Sequence, residues 1–273
     1  MQEYKLVVSD LDGTLLNRAM QVSPENKRAI AQMDELGVAF AISSGRTYAE
    51  LPEAVRDLEE LRYLIYSDGS VIHDKKTGVR ECAGIDRETV KKILTLLEGY
   101  ATSPSVRHNG NAYVRADECS REAMASYRVN EYFYSLYERT STPVERYFEF
   151  CSELDNVELF CVFFRHDDEM AECRAKLEEM GLQVVSSDPA NLEIISAQAG
   201  KGRALLRLAD KLGLDVASTI AVGDSLNDIS MLRAAGRGLV MSNASEEIKR
   251  VGDEVICSNE EHCAAYILEH FIK

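Results

Sequence analysis

Two pairs of aspartates carry the chemical interest of this chain. Asp10 and Asp12 end the run KLVVSDLDGTL, and Asp224 and Asp228 bracket GDSLND much later in the sequence. A tight turn needs one aspartate and a glycine. A second carboxylate beside the first adds repulsion, and the usual remedies are a proton or a cation. An all-oxygen ligand set favours Mg2+ or Ca2+ over zinc or copper. Mg2+ held by few carboxylates is typical where a phosphate supplies further oxygens. The remaining polar residues suit an anion: Gly13-Thr14 with its backbone N–H groups, Ser43-Ser44-Gly45 before a helix start, and Lys201 in Ala-Gly-Lys-Gly. Carboxylates, a lysine and N–H donors together point to phosphoryl chemistry, in which an aspartate can act as nucleophile. Taken singly, each feature reads as a turn, a helix cap or a surface lysine. Their conjunction argues for a site, provided the fold gathers them.

The pattern of apolar runs supplies that gathering. Leu6–Val8, 38–42, 63–66, 219–222 and 238–241 are continuous apolar runs, each breaking off into Ser, Asp, Gly or Asn. Such runs suit strands buried on both faces of a parallel sheet. Helical spacing lies between them. Ser23-Pro24 reads as a cap and first helical residue, with Ala29, Ile30, Met33 and Leu36 on the buried face and Gly37 as the stop. Leu205, Leu208 and Leu212 mark a second helix, and Ile229 and Leu232 a third. The alternation predicts a doubly wound, mainly parallel α/β sheet of Rossmann-like type, whose ligands bind at the carboxyl ends of the strands. Every polar break falls at that edge. Between about Cys82 and Asp188 the rhythm loosens. Here the sequence predicts a helix over 86–98, a hairpin around Asn109-Gly110, a strand from Val157 to Phe164, a helix over 168–180, and strands at 183–186 and 192–195. The Tyr- and Phe-rich stretch 120–150 fits no single pattern. We read an inserted α+β domain over 83–188, with 1–82 and 189–273 forming the core.

These motifs resemble those of the haloacid dehalogenase superfamily, in particular its Cof-type sugar-phosphatase-like branch. Asp10-Leu-Asp12-Gly-Thr14 is similar to the first motif of that family, Ser44-Gly45-Arg46 to the second, Lys201-Gly202 to the third, and Gly223-Asp224-Ser-Leu-Asn227-Asp228 to the fourth. Val240-Met241-Ser-Asn243-Ala244 is a further Cof-like stretch. The resemblance implies a Mg2+-dependent phosphatase acting on a small phosphomonoester, a sugar phosphate or similar metabolite. In it Asp10 is the nucleophile and Asp12 the proton shuttle. Asp10, the Asp12 carbonyl, Asp224 and Asp228 would hold the metal. Ser44, Gly45, Lys201 and Asn227 would serve the phosphate, and 83–188 would be a cap that chooses the substrate. Departures are Ser44 for the common Thr, Asp68-Gly69-Ser70 for Asn-Gly-Ala, and His262 for a common Gly. Asp68 puts an extra carboxylate near the active edge. The alternatives are a phosphomutase or phosphotransferase on the same scaffold, and a non-catalytic binder of phosphorylated metabolites.

Composition narrows the field further. With 31 basic against 46 acidic residues, the net charge of −15 offers no surplus to displace counterions from nucleic acid. The seven cysteines are odd in number and form no CxxC pair, which argues against a disulfide framework or zinc cluster. The opening MQEYKLVVSD does not read as a signal peptide, and no apolar run reaches membrane-spanning length. The expectation is a cytoplasmic enzyme without nucleic-acid or membrane partners, its oligomeric state unspecified. Arg107, His108, Asn111 and the Tyr-rich 127–137 segment are possible substrate contacts in the cap, with surface or core duty the plainer reading.

Overall fold

A computed structural model describes residues 3–272 of the chain. Five strands come first: β1 Leu6–Asp10, β2 Ala39–Ser43, β3 Tyr63–Tyr66, β4 Val71–Asp74 and β5 Val79–Cys82. Six follow: β6 Thr102–His108, β7 Asn111–Arg115, β8 Ser141–Val144, β9 Leu159–Phe164, β10 Gln183–Val185 and β11 Asn191–Ile195. Three close the series: β12 Thr219–Gly223, β13 Arg237–Val240 and β14 Glu254–Val255.

The chain divides into two compact units. One runs up to Ser44, from Leu51 to Glu81 and from Lys201 onward; the other comprises Gly45–Glu50 and Cys82–Gly200. The first holds a sheet in the order β14-β13-β12-β1-β2-β3-β4-β5. From β14 to β3 every pairing is parallel, and β4 runs antiparallel to β3. Because β1 lies between β12 and β2, the loops after these three strands leave the sheet side by side. Leu6, Val8, Ala41, Ile65, Ala221 and Val240 pack on Leu205 and Leu208 of helix Lys201–Lys211 and Met231 of helix Ile229–Ala234. Helix Pro24–Glu35 starts as expected, its Ser23 cap accepting from Asn26 N–H. Leu36, assigned to its buried face, is instead 50% exposed, because the chain is already leaving the helix there.

The second unit is α+β, with a sheet in the order β10-β11-β9-β6-β7-β8. In β9 all six residues are buried and serve two cores in alternation. Phe160, Val162 and Phe164 meet Val90, Ile93 and Leu97 of helix Arg87–Leu97. Leu159, Cys161 and Phe163 meet Met124 and Tyr137 from helices Arg121–Ser126 and Glu131–Thr140. Residues 121–140 therefore form a helical cover for the second face of this sheet, whereas 141–144 are its edge strand β8 and helix Tyr147–Ser152 joins the first core. Asn109 and Gly110 form the β6–β7 turn, both at positive φ as that hairpin requires. Two boundaries differ from the sequence reading by more than one residue. Residues 189–200 go with the second unit, because β11 pairs with β9 and β10 rather than with the parallel sheet. Gly45–Glu50 also goes with it, tied there by Glu50 to Arg107 and by Thr47 to Glu158. All seven cysteines are free thiols. Among the described residues no helix is long and apolar enough to cross a membrane.

Candidate active site

Asp10 is the last residue of β1 and stands beside Ser43 of β2. Asp224 follows the last residue of the neighbouring β12. Asp228 comes four residues later, in the single turn Leu226–Asp228. Parallel pairing thus gathers three aspartates from distant segments, and each can offer a carboxylate oxygen within 4.8 Å of the others. Lys201, first residue of its helix, donates from Nζ to Asp10 Oδ1 and to Asp228 Oδ1, both at 2.7 Å. Its helix can lie close enough because Gly202 has no side chain: a Cβ there would fall 2.4 Å from the Ser230 carbonyl oxygen. The Gly202 N–H donates to Ser230 Oγ at 3.1 Å and fixes that approach.

The aspartates are not equivalent. Asp228 spends both oxygens inside the protein. Oδ1 meets Lys201, and Oδ2 accepts the N–H groups of Asp224 and Ser225 at 3.0 and 2.9 Å and the Ser225 hydroxyl at 3.1 Å. Asp224 receives the Thr14 hydroxyl at 2.8 Å. Gly13 sits at φ 82°, and any Cβ there would lie 2.5 Å from Asp224 Oδ2. Asn243, from the Cof-like stretch, donates to the Gly13 carbonyl at 2.9 Å and steadies that turn. Asp10 is only 4% exposed, yet its Oδ2 has no protein hydrogen-bond partner.

The electrostatics follow from this arrangement. Burial, and then the charge of Asp228, push the Asp10 carboxyl well above the ordinary aspartate range, while Lys201 opposes them. Asp224 is pushed up to about 6, first by burial; its bond from Thr14 pulls down, and Asp228 pushes up again. Burial alone would lower Lys201, but Asp10 and Asp228 outweigh it and hold the ammonium proton firmly. Two carboxyls that are reluctant to ionise, one with an orphaned oxygen, form an all-oxygen set short of positive charge. That donor chemistry fits a hard divalent cation such as Mg2+.

The other expected residues fall as follows. Asp12 is half-buried in the turn after β1, bridging to Leu16, and its charge also pushes Asp224 up. Ser44 is buried at the end of β2, its N–H donating to Ile65 and its carbonyl accepting from Asp68 N–H. Asn227 Nδ2 reaches Asp68 Oδ1 at 3.4 Å. Gly45 belongs to the segment that folds with the second unit and is not part of this cluster. Arg107 is engaged within the second unit, ion-paired with Glu50 at 2.8 Å and stacked over Tyr137. Its burial in that network accounts for it as a core residue. Sequence reasoning did not foresee the link from Asp68 to Asn227, nor Asn243 as the anchor of Gly13. The only signal for Asp68 was its departure from the common Asn-Gly-Ala pattern.

A model of haloacid dehalogenase-like hydrolases matches residues 7–268. Phosphatase YwpJ of Bacillus subtilis (strain 168) is 33% identical, over 98% of this chain and 100% of its own length. The 5-amino-6-(5-phospho-D-ribitylamino)uracil phosphatase YcsE of the same organism is 27% identical, over 99% of this chain and 96% of its own. A solved haloacid dehalogenase-like hydrolase from B. subtilis has a TM-score of 0.81 at 32% identity, covering 98% of this chain and 99% of that one. Similarity that runs from the first buried strand to the last helix takes in the core and the insertion alike, and the chain belongs to the haloacid dehalogenase-like hydrolases.

Proposed function

We propose that this protein is a Mg2+-dependent phosphatase that hydrolyses a small phosphomonoester, a sugar phosphate or similar metabolite, through an aspartyl-phosphate on Asp10. The observation that carries this reading is the split duty of the Asp10 carboxylate. Oδ1 is held by Lys201 at 2.7 Å, while Oδ2 is buried and has no protein partner. A carboxylate fixed on one side, with its other oxygen free of protein partners, is placed to attack phosphorus as well as to meet a cation. The phosphatases among its relatives support the same chemistry.

Asp10 and Asp224, with Asp228 beside them and the Asp12 carbonyl, would hold Mg2+, which when bound offsets charge on the phosphoryl group and keeps Asp10 ionised. In the first step Asp10 Oδ2 forms a bond to phosphorus and the bond to the leaving oxygen breaks. Asp12 gives that oxygen its proton. In the second step Asp12 takes a proton from water, the water oxygen bonds to phosphorus, and the Asp10–phosphorus bond breaks, releasing inorganic phosphate. Two of the three Lys201 donors are committed to Asp10 and Asp228, and the third is left for a phosphoryl oxygen. The Ser44 hydroxyl and Asn227 would bind the same group. We assign the second unit, acting as a cap, a share in selecting the leaving group.

The test is turnover of p-nitrophenyl phosphate with Mg2+. Asp10→Asn is expected to lose at least about a thousandfold, and Asp12→Asn nearly as much. Substantial activity in Asp10→Asn overturns the nucleophile assignment. Release of free phosphate in step with alcohol separates hydrolysis from transfer to a second sugar.

A further inference from the structure

The turn joining β3 to β4 is unusual. Ser67, Asp68 and Gly69 stand at φ 51°, 49° and 83°, so two successive non-glycine residues occupy the left-handed region. Such backbone is disfavoured and persists only where surroundings enforce it. Here they do. The Asp68 N–H donates to the Ser44 carbonyl at 3.1 Å, Ser70 N–H to Ser67 at 3.0 Å, and Arg207 to the Gly69 carbonyl at 2.8 Å.

What this strained turn presents is a buried carboxylate. Asp68 is 2% exposed; Oδ1 has only the long bond from Asn227, and Oδ2 has no protein partner. An aspartate chosen merely for its turn propensity bonds its own backbone a residue or two on, and neither Asp68 oxygen does so. This one sits between Ser44 and Asn227, two residues of the proposed phosphate site, and its charge is felt by Lys201. A carboxylate only accepts hydrogen bonds, and phosphoryl oxygens are acceptors too, so the phosphate itself cannot satisfy Oδ2.

We infer that Asp68 is a specificity-determining residue whose Oδ2 accepts a hydrogen bond from a hydroxyl of the leaving group. The protein thereby selects hydroxylated phosphate esters over plain alkyl esters. This rests on the phosphomonoesterase reading above. The experiment compares kcat/KM for D-ribitol 5-phosphate and n-pentyl phosphate, which share a five-carbon chain and differ in their hydroxyls. The wild type should favour the polyol ester. Asp68→Ala should lower that preference roughly tenfold to a hundredfold, the usual weight of a charge-assisted hydrogen bond. The isosteric Asp68→Asn keeps a weaker acceptor and should lose less; it also guards against misfolding of the alanine variant. Equal losses on both esters would reduce Asp68 to a prop for Asn227 and overturn the inference. So would a wild type that shows no preference for the polyol ester, or that cleaves p-nitrophenyl phosphate but neither ester. A wild type inert towards all three compounds would instead bring down the phosphatase reading itself, and this inference with it.

Discussion

At the scale of single residues, Asp10 and Asp228 share Lys201 but differ in what they do for stability. Asp228 is completely satisfied, receiving Lys201 on one oxygen and two backbone N–H groups and a hydroxyl on the other. In Asp228→Asn an amide NH2 must face one of these donor sets, which costs about 3 kcal/mol. Asp10 is the opposite case: burial and Asp228 disfavour its charge. Asp10→Asn should melt no lower than the wild type in EDTA, while Asp228→Asn should melt clearly lower. The reverse order in thermal melts would contradict the division of labour. The titration of Asp224 adds a pH dependence. Its carboxyl stands at about 6 in the fold against an ordinary 3.8, so the native state holds the proton more tightly than the unfolded chain. The stability it contributes is full below about 4 and is lost as pH rises towards 6. A divalent cation competes with that proton. The stabilisation by Mg2+ over EDTA should therefore be small near pH 5 and widen through pH 7; a gap independent of pH would count against this cluster as the metal site.

At the scale of elements, what could be read from the sequence depended on burial. β1, β2, β3, β12 and β13 sit within the parallel sheet and show as apolar runs because both faces are covered. β5 is an exposed edge strand reading VREC, and β8 is an edge strand reading STPV with a proline; neither carries an apolar signal. The helices of 121–152 are six to ten residues long, too short for their spacing to stand out against the aromatic content. His262, odd in the sequence, is explained by backbone geometry. It lies at φ 64° immediately before helix Cys263–Ile267, and its Nδ1 pairs with Ser23 Oγ at 2.9 Å. That is a place where glycine is at ease. His262→Gly and His262→Ala lose the same imidazole, so their difference isolates the backbone. The glycine variant should be more stable by about 1 kcal/mol in denaturant unfolding. Equal midpoints would remove the strain from the account.

At the scale of the whole molecule, the site was legible because parallel topology converts distance in sequence into adjacency: the ends of β1 and β12 must lie side by side once those strands pair. The membership of Gly45–Glu50 in the second unit was not legible, since it is decided by side chains rather than by periodicity. Glu50 and Arg107 form a buried ion pair at 2.8 Å, with side chains 2% and 3% exposed. Thr47 donates its N–H to Glu50 at 2.8 Å and its hydroxyl to Glu158 at 3.0 Å, and Glu158 in turn accepts from Gly110 N–H at 2.7 Å. A chain divided into two units with separate cores need not unfold in one step. Glu50→Ala would strand the Arg107 cation in the interior of the second unit, because a guanidinium cannot shed its charge, and should cost that unit about 3–5 kcal/mol. The aspartates proposed to hold Mg2+ all belong to the first unit. Calorimetry should then show the two perturbations acting on different transitions, the substitution lowering one and the ion raising the other. If both instead shift one and the same transition, the two cores melt as a single cooperative body, and the Glu50–Arg107 pair stabilises the whole chain rather than the second unit.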